Sequence, residues 1–392
     1  MLMTQVYEIL NDITKEILGD TVIVAEDLSN IVDVGVAYEN LDGGFDNYVR
    51  KLNDHIGRVV FVNRVYKGRA PRVTMDAWEF GSIAEKIRAT MPEAQANVSW
   101  NLQNGQDYPV TAFTKPDVDV KFFNNRVTYE IPMSFTDMQV KSAFSSAMQM
   151  NGFMSMIQTS IENAITINTD ALVMRTINAG IGEVLHAEYP NDSGYSASSG
   201  VQAVNLLYLY NQTVPQAEQL TASNCITNPD FIRYASYVVK NYVERMQTMS
   251  TLFNVGATQK FTPVEDMHIV MLSEFANAAE VFLYDGVGQF KDSGIRFPDA
   301  IEKVPYWQGS GTAFAFADTS AINIKTPLTE SDISVSGILG VIFDRDAMGV
   351  ANLDRRVRTF YNGKGEFTNY WYKFDAGYYL DNDENICVFF VA

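Results

Sequence analysis

The sequence has few of the residues on which metal and disulfide chemistry depend. Among 392 residues there are two cysteines, Cys225 and Cys387, and three histidines, His55, His186 and His268. The cysteines form no CxxC pair, which argues against a disulfide framework and a thiolate zinc site and fits a reducing compartment. The histidines lie outside HExxH or any comparable ligand spacing. We therefore expect no bound metal ion.

Long apolar runs are also lacking. No stretch of about 18 uninterrupted apolar residues occurs, so no membrane-spanning helix is predicted. Near the amino terminus, Val6, Leu10, Ile13 and Ile17 recur at helical spacing among acidic residues, which predicts a short amphipathic helix ended by Gly19. This pattern differs from a signal peptide. We expect a soluble, intracellular protein with no membrane contact.

Basic residues are scarce relative to acidic ones. The chain has 29 Lys and Arg against 47 Asp and Glu, a formal net charge of −18. A net basic surface is needed to coat nucleic acid through phosphate contacts, so the acidic balance argues against this mode of binding. Hydrophobic residues at 47% and charged residues at 19% are near globular averages. The chain is therefore expected to fold, and at roughly 150 residues per domain to form about two or three domains.

Recognisable catalytic motifs are absent. There is no GxSxG elbow, and the glycine-rich pieces at 286–288, 309–311 and 363–365 lack the GxxxxGK[ST] pattern of a phosphate loop. We interpret these pieces as turns and predict no catalytic residue and no cofactor, so the chain is not expected to be an enzyme. A soluble enzyme with an unrecognised carboxylate pair among the 47 acidic residues stays an alternative.

One acidic turn imitates the start of a calcium loop. Asp381, Asp383 and Asn385 have the right spacing, but Ile386 occupies the position where such a loop needs glycine. We therefore expect a solvated hairpin turn without a metal ion.

The first third of the chain is predicted to contain only small elements. Residues 21–36 have the pattern of extended structure, and a second short helix is expected over 45–56. Residues 58–72 begin a β segment with five basic residues and no acidic one. Short strands continue to about residue 135, with one short helix near 82–89. An arm and a loop this small cannot bury their apolar faces within one chain, so we expect them to lie on something else.

A very long helix is the clearest single element. Thr136, together with Asp137, can cap its start, and an apolar stripe continues to about Gly180. Asn151 and Gly152 favour a kink or break. At roughly 1.5 Å per residue such a helix would reach about 60 Å, longer than a small domain is wide.

The second half predicts an α/β layer between β segments. A small-residue linker at 191–200 marks the predicted domain boundary, and a helix is expected over 202–210. Asn-Pro-Asp at 228–230 is a strong helix start, because Asn can cap and Pro fits the first turn. The apolar run at 267–272 has strand length, and Ser273 can cap a following helix.

The chain ends in β structure again. Strands are predicted over 338–343, 355–361, 366–374 and 386–391. A β segment and a long helix thus come first, an α/β layer follows the linker, and a sheet ends the chain. We therefore expect an α+β protein in which a second domain is inserted into the first.

Two clusters of basic residues stand out in this acidic chain. They indicate either a solvated strand edge that discourages pairing, or a surface that docks on an acidic neighbour such as another copy. The candidate contacts between subunits are Arg58, Arg64, Lys67, Arg69, Arg72, Arg355, Arg356 and Arg358.

Three stretches, with a terminal ICVFFV, carry a resemblance to a known family. They are DHIGRVVFVNRVYKG, TDMQVKSAF and GVIFDRDAMGVANLDRRVRTFYNGKGEFTNYWYKFDAGYYL. In their order, the chain resembles the tailed-bacteriophage major capsid proteins of the Hong Kong 97 fold, and more closely the small podophage capsid proteins of the phi twenty-nine type. The resemblance covers nearly the whole chain.

The resemblance implies a division of the chain. Residues 1–59 would be an N-terminal arm, and 60–133 an extended β-loop that reaches over a neighbouring subunit. Residues 134–190 and 336–392 would form a peripheral domain with a long spine helix and the C-terminal sheet. Residues 191–335 would form an inserted α/β axial domain around pentamer and hexamer centres.

The resemblance also implies a function. The chain would be a major capsid protein that self-assembles into an icosahedral shell enclosing double-stranded DNA without binding it specifically. Scaffolding and portal proteins would be partners, assembly would occur in the host cytoplasm, and the protein would reside in the virion capsid. The alternative is an encapsulin-like cellular shell. A cargo enzyme inside the particle, in place of DNA, would distinguish it from a viral capsid.

The basic patch leads to a test. Reversing Arg64, Lys67 and Arg69 to Glu is expected to impair assembly without unfolding the subunit, because the patch would no longer attract an acidic copy. Electron microscopy of the purified variant would check this, and normal shells would remove the patch from consideration.

Overall fold

A computed structural model gives the chain an α+β fold in the residues that it describes. The described residues are 3–19, 24–25, 28–41, 48, 51, 69–75, 84–89, 96–97, 100–101, 103–107, 115, 118–143, 147–190, 194–284, 301–308 and 315–392. The helix predicted over 45–56, apart from Tyr48 and Lys51, lies outside them. So do the β segment over 58–68 and the glycine-rich pieces at 286–288 and 309–311.

The helices range from one turn to more than ten turns. Their bounds are α1 Met3–Leu18, α2 Ile31–Glu39, α3 Asp137–Ala143, α4 Ala147–Glu188, α5 Leu206–Asn211, α6 Pro229–Met246, α7 Ser273–Tyr284 and α8 Phe316–Thr319. Short 3₁₀ turns are found at Pro71–Val73, Gln216–Glu218, Cys225–Thr227 and Val264–Asp266.

The strands are grouped in two larger sheets and two hairpin-like pairs. Their bounds are β1 Thr74–Met75, β2 Ala84–Ala89, β3 Val118–Phe123, β4 Arg126–Thr136, β5 Ala203–Asn205, β6 Met267–Leu272, β7 Ile301–Val304, β8 Ile322–Lys325, β9 Asp332–Val335, β10 Ile338–Asp344, β11 Met348–Asn362, β12 Phe367–Leu380 and β13 Ile386–Phe390.

The sheet order interleaves distant parts of the chain. The four-stranded sheet has the order β1-β11-β12-β4, and the five-stranded sheet has the order β5-β13-β10-β6-β7. β2 pairs with β3, and β8 pairs with β9, as separate antiparallel ribbons. β11 and β12 form one long antiparallel hairpin, which confirms the hairpin predicted from the sequence.

Two of the predicted domain ranges, 191–335 and 336–392, contribute strands to the same sheet. β10 and β13 belong to the range 336–392, yet they occupy the centre of the five-stranded sheet beside β5, β6 and β7. β11 and β12 from the same range join β4 in the other sheet. The carboxyl-terminal segment thus contributes to both sheets, and the division of the chain stays a prediction.

Helix α4 is the element on which both sheets pack. Its second half buries Leu172, Ile177 and Ile181 in a core with the five-stranded sheet. Its first half buries Ile157 and Ile161 in a core with the four-stranded sheet. Because apolar side chains recur along its whole length, one helix connects two cores. A third core lies between the five-stranded sheet and helices α5 to α7.

Close packing explains why α4 runs past its predicted end at Gly180. A Cβ at Gly180 would lie 2.6 Å from Met348 Cε, and one at Gly182 would lie 3.0 Å from Ile324 Cδ1. Glycine is unfavourable inside a helix, but here its lack of a side chain lets β11 and β8 approach the helix axis. The helix also continues through Asn151 and Gly152, so no break is found there.

Carboxylates near the end of α4 hold two turns. Glu183 Oε1 accepts hydrogen bonds from the backbone N–H of Leu328 at 2.7 Å and Thr329 at 3.2 Å. Glu188 Oε1 accepts from the backbone N–H of Gln202 at 2.9 Å, close to the start of β5. Buried backbone N–H groups need such partners, so these side chains fix where the chain turns back to the helix.

The N-terminal arm packs within its own chain, contrary to expectation. Leu10 and Ile13 of α1 and Val34 and Tyr38 of α2 are buried in the core that also contains Ile161. The prediction was wrong because it considered the short elements alone, whereas α4 and the four-stranded sheet supply the apolar surface that they need.

Three local predictions were wrong. Residues 31–36 belong to helix α2, although Ile and Val favour strands, because burial of one helical face outweighs that preference. Residues 84–89 form strand β2 instead of a helix, because they pair with β3. Residues 203–205 form β5 beside β13, and the helix predicted there begins only after Asn205.

Several helix starts and strands were predicted correctly. The Thr136 hydroxyl accepts a hydrogen bond from the Gln139 N–H at 3.3 Å. Asn228 caps α6 by accepting from the N–H groups of Asp230 at 2.9 Å and Phe231 at 3.1 Å. The predicted strands at 267–272 and 338–343 are β6 and β10, and both are fully buried.

Gly337 provides a test of the junction between β9 and β10. Its φ is +90°, and an added Cβ would collide with the carbonyl oxygen of Val391. Gly337→Ala is therefore expected to lower the free energy of unfolding of the subunit by about 2–4 kcal/mol, from backbone strain and overpacking. Urea denaturation measures this difference.

The matched control is Gly363→Ala in the β11–β12 turn. A Cβ there would make ordinary contact, 3.6 Å from Tyr361 Cε1. This change is expected to stay within about 0.5 kcal/mol of the parent protein. Equal stability of the two variants would contradict the account of Gly337.

Candidate functional site

The β2–β3 pair is a two-faced ribbon. Because side chains alternate across a strand, the register Lys86↔Lys121 and Ile87↔Val120 places the cations of the ribbon on one face and most of its apolar side chains on the other, where Glu85 lies opposite Phe122. Lys86, Lys121 and Arg88 share one face, and Ile87 and Val120 share the other. This separation is the signal that the ribbon contacts two different environments.

The charged face of the ribbon lies on the turn between β12 and β13. The side chain of Asp381 in this turn is fully buried, and those of Asp383 and Glu384 are 17% and 6% exposed. The prediction of a solvated turn was therefore wrong. The turn is covered because the ribbon, distant in sequence, supplies cations to its carboxylates.

Several ion pairs join the ribbon to the turn. Lys86 Nζ lies 2.9 Å from Asp381 Oδ2 and 2.5 Å from Glu384 Oε1. Arg88 bridges the same two oxygens through Nη2, at 3.1 and 2.7 Å, and places Nη1 3.1 Å from Asp383 Oδ2.

The third ribbon cation completes the cluster. Lys121 Nζ lies 2.8 Å from Asp381 Oδ1 and also pairs with Asp383. From the body of the protein, Lys260 Nζ approaches Glu384 Oε1 to 3.1 Å. We use the name root clamp for Lys86, Arg88, Lys121, Asp381, Asp383 and Glu384.

The protonation behaviour of the root clamp follows from its geometry. Burial alone would raise the pKa of Asp381, but hydrogen bonds from Lys121 and Lys86 outweigh it and lower the pKa to about 2. Burial likewise opposes ionisation of Glu384, whose pKa is nevertheless lowered by Lys86 and Lys260. The cluster therefore stays ionised at neutral pH.

Further contacts fasten the base of the ribbon. Lys86 Nζ donates to the backbone oxygen of Asp346 at 3.1 Å. The rings of Phe123 and Tyr379 meet with centroids 5.3 Å apart, and the backbone N–H of Tyr378 donates to Asn125 at 3.1 Å. Anchors on both strands thus set the direction in which the ribbon leaves the body.

The apolar face of the ribbon is left exposed. Ile87 is 66% exposed, Val118 57%, Val120 38% and Phe122 65%. Single exposed apolar residues are common, but four on one face of a ribbon form a patch typical of an interaction surface. We use the name ribbon patch for these four residues.

The predicted basic contacts at the root of the loop are only partly described. Arg58, Arg64 and Lys67 lie outside the described residues. Arg69 binds Asp170 of α4 through its backbone N–H at 2.8 Å and Nε at 2.6 Å, and Arg72 donates its backbone N–H to Glu302 at 2.9 Å. Because Arg69 has a partner in its own chain, reversing it would also disturb the subunit. The assembly test is therefore restricted to Arg64 and Lys67.

The second basic cluster is divided between the two faces of strand β11. Arg355 pairs with Phe374 in register, on the face toward the core, and burial lowers its pKa. Arg356 binds the buried carboxylate of Asp375 at 2.6 Å. Arg358 is exposed on the same face as Arg356. Contact with another subunit by these arginines stays a prediction.

Sequence reasoning missed the root clamp. Lys86 and Arg88 alternate along what is now β2, and this spacing on a strand could have indicated one charged face. The helix predicted there obscured the pattern. Nothing in the sequence pairs these residues with Asp381, nearly 300 positions later, so the partner is visible only in the folded chain.

Two other kinds of site, a metal centre and a membrane-spanning helix, are absent from the described part of the chain. There, no three or more His, Cys, Asp or Glu side chains are arranged to hold a metal ion. None of the described helices combines the length and the apolar character needed to cross a membrane.

Comparison with known proteins gives a coherent result. The model of the family described as Phi29-like phage major capsid protein matches residues 10–390. The fold is similar to a chain in the capsid structure of Staphylococcus phage Andhra, with TM-score 0.50 and 12% identity over 84% of this chain and 86% of that chain. Among curated proteins no match was found.

A second solved structure is similar to the same extent. It is that of the head fiber and inner core protein gp22 of native bacteriophage P68, with TM-score 0.51 and 10% identity. The likeness covers 85% of this chain and 86% of the matched chain. At these identities the likeness concerns the fold alone.

The root clamp predicts how stability depends on pH. Asp381→Asn is expected to lower the free energy of unfolding at neutral pH by about 2 kcal/mol. Breaking a fully buried pair costs about 3–5 kcal/mol, and the cations here are partly hydrated. A carboxyl with a lowered pKa stabilises the folded state above about pH 4 and loses this effect toward pH 2. Urea denaturation across this range should show the difference from the parent protein shrinking as the pH falls.

The control for this experiment is Glu330→Gln. Glu330 forms an exposed pair with Lys325 at 3.8 Å, with side chains 80% and 60% exposed. Exposed pairs contribute about 0–1 kcal/mol, so this variant should remain near the parent protein. A pH-independent effect of Asp381→Asn would contradict the pairing described for the root clamp.

Proposed function

This chain belongs to the family of Phi29-like phage major capsid proteins. We propose that its ribbon patch makes contacts between copies in a shell, and that its root clamp holds the ribbon in place for those contacts. The protein is a phage major capsid protein, a subunit that forms an icosahedral shell from many copies of itself. The proposal concerns which of its surfaces make that shell.

The observation that carries the proposal is the opposite character of the two ribbon faces. One face is held on the body by the root clamp, so the ribbon cannot turn to bury its other face against the same turn. Phe122 and Ile87 consequently remain about two-thirds exposed. Burying four such side chains against a neighbour is favourable at roughly 25 cal/mol per Å² of apolar area. A neighbouring copy is the partner that a shell provides.

The broader division of labour follows the predicted ranges. We propose that residues 60–133 act as the loop that reaches over a neighbour, with 1–59 as the arm. Residues 134–190 and 336–392 would form the peripheral domain with α4 as its spine, and 191–335 the axial domain around pentamer and hexamer centres. The long β11–β12 hairpin and the length of α4 support these roles.

The contents and partners of the shell are also proposals. The net charge of −18 suits a wall that encloses double-stranded DNA without gripping it, since phosphates would be repelled. We propose scaffolding and portal proteins as partners, assembly in the host cytoplasm and residence in the virion capsid. The family is structural, so a catalytic role is not proposed, and the family match favours a viral shell over an encapsulin-like one.

Phe122→Lys tests the ribbon patch. Phe122 is exposed in the subunit, so the thermal unfolding of the dissociated variant should match that of the parent protein. Closed particles counted by electron microscopy should fall at least about tenfold, because desolvating an ammonium group at a contact costs several kcal/mol, more than its pairing with Glu85 across the ribbon returns.

Phe122→Leu is the matched control, since it keeps an apolar side chain at the same place. It should form closed particles at a yield near that of the parent protein. If Phe122→Lys assembles equally well, the ribbon patch is not a contact. If the parent protein forms only small, open species under all assembly conditions, the shell function itself is in error.

A further inference from the structure

The first half of helix α4 is almost free of charge. From its start at Ala147 to Thr169 the only charged residue is Glu162, in a chain where 19% of residues are charged. Helix surfaces that face water are normally rich in charged side chains. An uncharged stretch of this length on a surface helix is therefore unexpected for a subunit that remains surrounded by water.

One side of this uncharged segment is exposed. Ile157, Ile161 and Ile165 are buried against the arm and the four-stranded sheet. On the opposite side, Met156 is 54% exposed and Ile167 67% exposed. We use the name α4 stripe for the exposed residues Gly152, Met156, Thr159, Ser160, Asn163 and Ile167. Their spacing of three or four residues places them on one helical face.

Gly152 is a second, independent observation at this stripe. Gly180 and Gly182 of the same helix are explained by neighbouring side chains that lie 2.6 and 3.0 Å from where a Cβ would be. At Gly152 no described atom other than the adjoining backbone of its own helix and its two chain neighbours lies within 4 Å of that position, and its φ is outside the left-handed region. Glycine weakens a helix interior, so a residue that nothing within the described chain requires indicates close approach from outside.

We propose that the α4 stripe is a contact surface for a second copy of this chain. This inference rests on the shell function proposed above, and it adds a surface separate from the ribbon patch. Copies that each carry a net charge of −18 repel one another, so they can pack closely only where charge is absent or paired. Depletion of charged residues is the compositional mark of an interface core.

The same stripe does not suit other large partners. A surface that binds the phosphates of nucleic acid needs Lys or Arg, and the stripe has neither. Thr159, Ser160 and Asn163 interrupt the apolar residues, which is unlike the continuous apolar face of a helix lying on a membrane. A small-residue, uncharged helix face fits another protein surface of similar neutrality.

Two opposite charges at Ile167 test this proposal. Ile167→Asp and Ile167→Lys should each leave the thermal unfolding of the dissociated subunit unchanged, because the side chain is exposed there. Each should abolish closed particles seen by electron microscopy, because either charge would be buried without a partner at the contact. Loss of particles with Asp but not with Lys would overturn the proposal in favour of an anionic partner, and normal particles from both would overturn it outright.

Val281→Asp is the matched control. Val281 is 62% exposed on α7 beside Glu280, a face that already carries charge, and this variant should assemble normally. Failure of all three variants would mean that any new charge blocks assembly, which would overturn the assignment of the stripe. If the parent protein itself forms no particles, the shell function fails, and that outcome is distinct from these.

A thiol probe gives a reading that does not depend on tolerance of charge. Cys225 and Cys387 are buried, so Ile167→Cys introduces an accessible thiol on the stripe. Its maleimide labelling should be rapid in dissociated subunits and at least tenfold slower in assembled particles. A thiol-anchored photo-crosslinker at this position should join two copies of the chain. Equal labelling in both states, or crosslinks only to a different protein, would contradict the proposal.

Discussion

The packing of helix α4 on both sheets is the constraint on which the rest of the fold depends. Gly180 and Gly182 let strands approach the helix axis, and Glu183 and Glu188 hold the turns that bring the chain back to it. The arm, with Leu10 at its centre, packs on the other half of the same helix. A helix that serves two cores couples them mechanically, since each core fixes one end of a rigid rod.

Charge is distributed so that the subunit can be both acidic and cohesive. Carboxylates that would repel one another in the 381–385 turn are paired with cations of the ribbon, and Asp375 is paired with Arg126 and Arg356. Other surfaces carry little charge: the α4 stripe has none, and on the face of the ribbon patch Glu85 lies opposite Phe122. Pairing keeps the fold together, whereas absence of charge leaves places where acidic copies can meet.

The local parts of the fold could be predicted from the sequence where one interaction lies within a few residues. Asn228 caps α6 through its neighbours, and Thr136 does the same at the start of α3. Prediction failed at residues 84–89 and 203–205, whose strand conformation depends on partners in β3 and β13. Short segments with mixed propensity adopt whichever structure their distant partners stabilise.

The amino-acid sequence by itself determined the α+β class, the long helix, the long hairpin and the absence of recognisable catalytic motifs. It also carried a family resemblance that the family match confirms. The tertiary structure alone decided that Asp381 is buried under Lys86 and Lys121, that the arm lies on α4, and that the last strands complete two different sheets. The physical reason is range: propensities and caps act between neighbours along the chain, while ion pairs and apolar packing join residues that only folding brings together.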